Sequence, residues 1–234
     1  MNTKTKYCTN LVALIFGMIC LCGHLHAKAH ESLENFESDS VGKLPQGDWK
    51  AREGDPAAVF SVQQEGKNKF LSVKDKGQSV QYFVKKKWKL SKYPCIHWSW
   101  RVHDFPEGSD ERVRSKNDSA AAIYVVFPKR WFIPDSVKYL WSMIVPVDTV
   151  IRNYDRFPMQ VVRKGDKPKG QWVKEMRNVQ EDYKALFNRS PGNPVAIGFL
   201  TDSNSVGGGA SADYDDIYVS DCSEKAAEKA TEKK

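Results

Sequence analysis

Eight residues near the middle of the chain constrain its fold most strongly. In Cys-Ile-His-Trp-Ser-Trp-Arg-Val, residues 95–102, the apolar side chains Ile96, Trp98, Trp100 and Val102 alternate with His97, Ser99 and Arg101, and His103 continues the second set. Successive side chains of an extended strand point to opposite faces, so this spacing predicts a strand with one core face and one wet, polar face. A helix would scatter the same apolar residues around its axis.

Residues 78–84, 120–127, 139–145, 158–163, 195–201 and 216–220 read in the same way, each rich in β-branched and aromatic residues and bounded by Gly, Pro, Asn or Asp. Many short strands separated by turn residues predict an all-β fold, an antiparallel β-sandwich. One short connecting helix interrupts them. Asn178 is a capping residue with Glu181 three positions later, and Val179, Tyr183, Leu186 and Phe187 form one apolar stripe.

The ends of the chain differ from the middle. Lys4 and Lys6 precede an apolar run, Leu11 to Cys22, and small residues follow near position 27, the anatomy of a cleaved secretory leader over residues 1–27. The run is too short to cross a bilayer comfortably, which takes about 20 residues. The expectation is therefore a periplasmic or secreted protein with no transmembrane segment after cleavage. Residues 223–234 are rich in Lys, Glu and Ala with no large apolar side chain, a disordered tail. Between these ends, residues 30–222 are expected to form a single domain.

The whole chain carries 36 basic and 29 acidic residues, and losing Lys4 and Lys6 with the leader leaves a net charge of +5. Of five cysteines only Cys95 and Cys222 remain after cleavage. In an oxidising compartment they are either a disulfide or two buried thiols, and spacing does not choose between them. Two cysteines without a Cys-x-x-Cys pair make no zinc site.

Two resemblances add to this reading. "NFESDSVGKLPQGDW" (35–49) and "DYDDIYVS" (213–220) look like the first and last strands of secreted jelly-roll carbohydrate-binding modules. That likeness implies a structural calcium ion between them, with Glu37 and Asp216 as the matching carboxylates; the alternative is two exposed acids at a sheet edge. A second resemblance spans nearly the whole domain. "WKLSKYPCIHWSWRV", "NDSAAAIYVVF", "YLWS", "GQWVKEMRNVQEDYKALF" and "AIGFLTDSNS" with a later "YDDI" resemble, in order, the blocks of a bacterial exported family catalogued as domain of unknown function 3047. It implies a β-sandwich and export but no activity. Two departures from its pattern are Ala122, where an Arg is usual, and Asp202-Ser203-Asn204-Ser205-Val206, where Asp-Thr-Asp-Asn-Thr is usual.

The stretch most like a site is residues 201–217, with four aspartates and three consecutive glycines. Asp202, Asn204, Gly207 and Asp213 fall at positions 1, 3, 6 and 12 of a calcium loop, but Val206 stands where an oxygen is wanted at position 5. A glycine-rich turn competes with that reading. A third reading makes the loop one wall of a ligand cleft, with Asp202 and Asn204 contacting sugar hydroxyls and Trp172 or Tyr124 as an apolar platform.

Nucleophile-elbow, zincin, Walker and dinucleotide motifs are all absent from the sequence. The leading expectation is thus a noncatalytic module binding a glycan or another cell-envelope component. The alternative is a polysaccharide lyase or hydrolase acting on an anionic glycan, with His97, Arg101 and Tyr124 on one polar face. Residues 84–93 interleave lysines with Trp88 and Tyr93, but export argues against nucleic acid as the partner.

Overall fold

The computed structural model describes residues 30–128, 133–153 and 157–223. The leader at 1–27 and the tail after Ser223 lie outside them. In chain order the strands are β1 (His30–Glu34), β2 (Trp49–Ala51), β3 (Phe60–Glu65), β4 (Asn68–Asp75), β5 (Tyr82–Val84), β6 (Cys95–Asp104), β7 (Ala121–Phe127), β8 (Asp135–Ser142), β9 (Val150–Ile151) and β10 (Met159–Lys164). β11 (Val173–Asn178) runs directly into the helix α1 (Val179–Phe187), and β12 (Ala196–Leu200) and β13 (Ala210–Ser220) complete the domain.

These strands make two sheets, giving the expected β-sandwich of jelly-roll type. The first has the order β11-β6-β13-β4-β3, with β1 also paired to β13; the second runs β2-β5-β12-β7-β8-β10-β9. All pairs are antiparallel except β8 with β10, which are parallel.

The core lies between the sheets and is strongly aromatic. Trp98 of β6 stacks on Tyr139 of β8 with ring centroids 5.5 Å apart, and Trp100 meets Trp141 at 5.7 Å. Ile96, Trp98, Trp100 and Val102 are all buried, as the alternation requires. Tyr214 of β13 reaches across the core: its hydroxyl donates to the carbonyl of Leu200 (2.8 Å) and accepts from the amide of Ala122 (3.0 Å). It thereby satisfies two backbone groups in the opposite sheet.

The opposite face of β6 is not the wet surface expected. His97 and Ser99 are buried, and Arg101 is mostly covered. Neighbouring strands carry complementary groups. Arg101 ion-pairs with Asp213 of β13 (2.8 Å) and Glu65 of β3 (2.8 Å), and His103 also reaches Asp213 (2.6 Å).

Local rules account for the helix. The Asn178 side chain accepts from the Glu181 amide (3.1 Å), and Asn188 closes the helix in the left-handed conformation at φ 52°. Val179, Tyr183 and Leu186 are its buried stripe. Cys95 and Cys222 form a disulfide that ties the start of β6 to the chain just past β13. No helix among the described residues is long and apolar enough to cross a membrane.

Candidate functional site

The second sheet is apolar on both faces. Besides the core, a separate buried cluster of Ala122, Tyr124, Leu140, Met159, Val161 and Leu200 lies on its outer side, with Phe83 and Val126 packed against it. Residues 120–127 therefore do not alternate wet and dry, and β8 is buried along its whole length. Such two-faced runs arise where something covers both sides of a sheet.

Loops wall the outer face into a cleft of about 770 Å³. Its floor is one continuous row of paired residues, read strand by strand. Lys50 of β2 is opposite Phe83 of β5, Phe83 opposite Gly198 of β12, and Gly198 opposite Tyr124 of β7; Tyr124 is then opposite Lys138 of β8, and Lys138 opposite Met159 of β10. Side chains in register across strands share one face, so the row presents two aromatic rings between two lysines. The rings of Phe83 and Tyr124 touch, with centroids 5.6 Å apart, and the Lys138 ammonium lies 5.6 Å from the centre of the Tyr124 ring.

The wall at one end is the 202–206 loop, held by carboxylates from elsewhere. Asp75 accepts from the Ser203 amide (2.9 Å) and hydroxyl (2.7 Å) and from the amides of Gly77, Gln78 and Ser79. Asp118 accepts from the amides of Ser205 (3.0 Å) and Val206 (2.7 Å). The loop is thus anchored by protein groups. Asp202 itself accepts from the Ser119 amide (2.7 Å) and the Ser79 hydroxyl (3.2 Å). Burial pushes its carboxyl up to about 6, against the pull of Lys138, whose ammonium donates to the Ser119 hydroxyl (2.9 Å).

Two residues of the cleft lining also carry buried polar atoms: the Ser136 hydroxyl and the Asn117 side-chain carbonyl make no hydrogen bond among the described residues. Unmade hydrogen bonds of that kind cost roughly 1–3 kcal/mol each.

Of the residues singled out from sequence, the cleft brings together Asp202, Asn204 and Tyr124. The others lie elsewhere. Trp172 packs on the outer face of the first sheet, 4.6 Å from the Arg101 guanidinium and 5.4 Å from Phe70. His97 stacks on Tyr218 at 4.2 Å and hydrogen-bonds Ser220 (2.8 Å). His97 and Arg101 belong to β6 and Tyr124 to β7, in different sheets, so the polar face proposed for the three does not exist. Alternation places a residue on one side of its strand but does not say which sheet the strand joins.

The calcium loop is also not built. Asp213 lies within β13 and is paired with Arg101 and His103, whereas Asp202 is bound to the Ser119 amide and the Ser79 hydroxyl. Glu37 and Asp216 fare little better as ion ligands. Asp216 sits exposed in a β-bulge at φ 52°, between the pairings of Asp215 and Tyr218 with β6. Asp215 beside it is pushed up to about 6 by burial, with Asp216 and Glu37 adding repulsion, so the acids are neighbours. But Glu37 accepts from the Lys69 amide (3.1 Å), Asp215 from Asn68 (2.8 Å) and the Asp216 amide (2.7 Å). The Lys69 ammonium already binds the backbone carbonyls of Glu37 (2.9 Å) and Asp39 (2.7 Å). Among the described residues no three His, Cys, Asp or Glu groups are placed to hold a metal.

Sequence reasoning missed Phe83, Ser136 and Lys138 on the floor and Asp75 and Asp118 behind the loop. Lys138 had a signal: a charge set among the apolar Val137, Tyr139, Leu140 and Trp141 of β8. Asp75 and Asp118 had none, because their partners are up to 128 residues away.

No curated protein matches the chain. Among solved structures it is similar to TmCBM61 in complex with beta-1,4-galactotriose, at 11% identity and TM-score 0.34, covering 80% of this chain and 98% of that one. It is likewise similar to a carbohydrate-binding module for mannan, TmCBM27 (13% identity, TM-score 0.36, 82% and 98% covered), and to a cellulase derived from Cel12A of Rhodothermus marinus (10% identity, TM-score 0.40, 74% and 97% covered). Likenesses this distant say nothing of what the cleft holds. A family model does match, over residues 48–218, which takes in every strand of the cleft floor, and the chain belongs to the family described as Protein of unknown function (DUF3047).

Proposed function

We propose that this protein is an exported, noncatalytic glycan-binding module whose ligand lies in the cleft on the outer face of the second sheet. The observation that carries the reading is the pairing of unlike surfaces in one concavity. The exposed Asn204 amide and Lys50 ammonium border the same space as the Phe83–Tyr124 rings. A sugar has the matching halves, hydroxyls around its edge and an apolar C–H face. A cleft of about 770 Å³ is within the usual range of roughly 300–1,000 Å³ for ligand sites. Asn204, exposed on the rim, adds an amide able to donate and accept.

Export is supported by the Cys95–Cys222 disulfide, since such bonds persist in oxidising compartments. The ligand in this reading is a polysaccharide of the cell envelope or its surroundings. A cleaving enzyme has lost the residues first assigned to it, because His97 and Arg101 face away from the cleft.

The test is a glycan array followed by titration calorimetry. Binding of the best glycan should weaken at least tenfold in both Phe83→Ala and Asn204→Ala, the first removing the platform and the second a rim contact. Unchanged affinity in the two variants would remove the cleft as the site. Incubation of the same glycan with the protein should release no shorter products; their appearance would replace binding by catalysis.

A further inference from the structure

The row across the cleft floor also specifies the charge of its ligand. We infer that the cleft takes an acidic polysaccharide, laid across the strands so that anionic groups meet Lys50 and Lys138 on either side of a sugar stacked on Phe83 and Tyr124. This rests on the glycan reading above and adds the substrate class and the ligand's direction.

The geometry follows from the register. Lys50, Phe83, Gly198, Tyr124 and Lys138 are consecutive partners across five adjacent strands. With strands about 4.8 Å apart, the two lysines are anchored about 19 Å from each other, along a line perpendicular to the strands. Gly198, in the middle, gives the row no side chain of its own, and the Phe83 ring leans over that gap toward Tyr124. The result is an apolar segment with a cation anchored at each end. A single sugar would reach one lysine; a chain of several would reach both.

The charge of the lining points the same way. Among the described residues, Lys50, Arg52, Arg114 and Lys138 line the cleft against only Glu53 and Asp202. Glu53 is largely solvent-exposed beside Arg52 (3.9 Å), and Asp202 is directed into the Ser119 amide and the Ser79 hydroxyl. The other acids near the floor are also turned to protein groups: Asp118 to the amides of Ser205 and Val206, and Glu111 to the Ser142 hydroxyl (2.6 Å). Lys138 is 4% exposed and shares its field with Asp202, so the surface offered to a ligand is most cationic at Lys50, Arg52 and Arg114, around an aromatic centre. Complementary charge raises selectivity and association rate, and cations over a stacking platform suit an anionic sugar better than a neutral one.

Carboxylate and sulfate groups would satisfy the lysines alike, so both belong in the test. Calorimetry on the whole protein would compare polygalacturonate oligosaccharides, a sulfated glycan, neutral cello-oligosaccharides and poly-glutamate, at low and high salt. The acidic glycans should bind at least tenfold more tightly than the neutral one and weaken as salt rises. Either a carboxylated or a sulfated winner supports the inference, and the comparison tells which group the lysines hold. Lys50→Glu, an exposed change that leaves the core alone, should cost the acidic glycan at least tenfold, and Lys138→Met should do the same where the variant remains folded by circular dichroism.

Neutral oligosaccharide binding as tightly as the acidic ones, with Lys50→Glu without effect, would overturn the acidic ligand while leaving glycan binding in the cleft intact. Poly-glutamate binding as tightly as the acidic glycans would reduce the site to a bare charge patch and overturn the stacking geometry. Absence of binding by any glycan would remove this inference and the glycan reading together.

Discussion

The ring of Phe83 lies over Gly198 on the adjacent strand, so close that a Cβ built on the glycine would fall within the ring's own contact distance. The backbone there is extended and would suit any residue, so the glycine serves this close approach. It lets Phe83 lean inward and touch Tyr124 across an empty position.

Gly198→Ala should therefore drive the Phe83 ring away from Tyr124. Overpacking of this kind costs about 1–3 kcal/mol. Urea unfolding of the variant should show that loss, and glycan affinity should fall with it. Stability and affinity both equal to the parent protein would mean that the ring is not held over the glycine.

Asp202 predicts a pH dependence of definite sign. Burial raises its carboxyl from 3.8 to about 6, so between those values the unfolded chain has released a proton that the folded chain keeps. Stability from this group is full below about pH 4 and is lost as pH rises through about 6, by about 3 kcal/mol in all. Asp202→Asn does not titrate. The variant should gain on the parent by up to that amount between pH 4 and pH 7 in urea unfolding, whereas a constant difference across the range would show an ordinary carboxyl.

Lys69 holds the turn after β1 from β4, through the carbonyls of Glu37 and Asp39. Charge-assisted hydrogen bonds of this type are worth roughly 1.5–3 kcal/mol. Lys69→Met should lower the thermal midpoint by several degrees, about 2–4 °C per kcal/mol for a domain of this size. A chelator should leave the parent's midpoint where it is. A drop on chelation, reversed by calcium, would show that Glu37 and Asp216 do hold an ion.

How much of this was legible beforehand depended on the range of the interactions. Period-two alternation in residues 95–102 placed Trp98 and Trp100 in the core, and the Asn178 cap with its apolar stripe located the helix to the residue. The hairpin of β3 and β4 was overlooked, although Glu65 and Asn68 pair around a two-residue turn whose Gly66 has φ 62°. Phe60, Ser61, Val62 and Gln63 of β3 do alternate, in sequence and in burial, but the run is short, and in β4 the consecutive buried residues Phe70 to Val73 break the period. β11 was missed because most of its residues are polar or charged and none is fully buried.

The site divided along the same line. The 202–206 loop stood out because its composition is unusual locally, and Asp202 and Asn204 do line the cleft. Trp172 and Arg101 looked equally suitable, yet they stack on each other on the far sheet. A strand's sequence shows which residues share a face; sheet membership is settled by hydrogen bonds to strands distant in the chain.

Local order was thus written in the chain itself: strand faces, the helix and its cap, and the loop that walls the cleft all follow from residues a few positions apart, whose backbone geometry leaves few choices. The row from Lys50 to Lys138 was decided only by tertiary structure. It takes one residue from each of five strands spread between positions 50 and 198, and their register is set by backbone pairing and by core packing beneath them. No spacing within a single strand encodes that row, because the forces that align it act across the sheet.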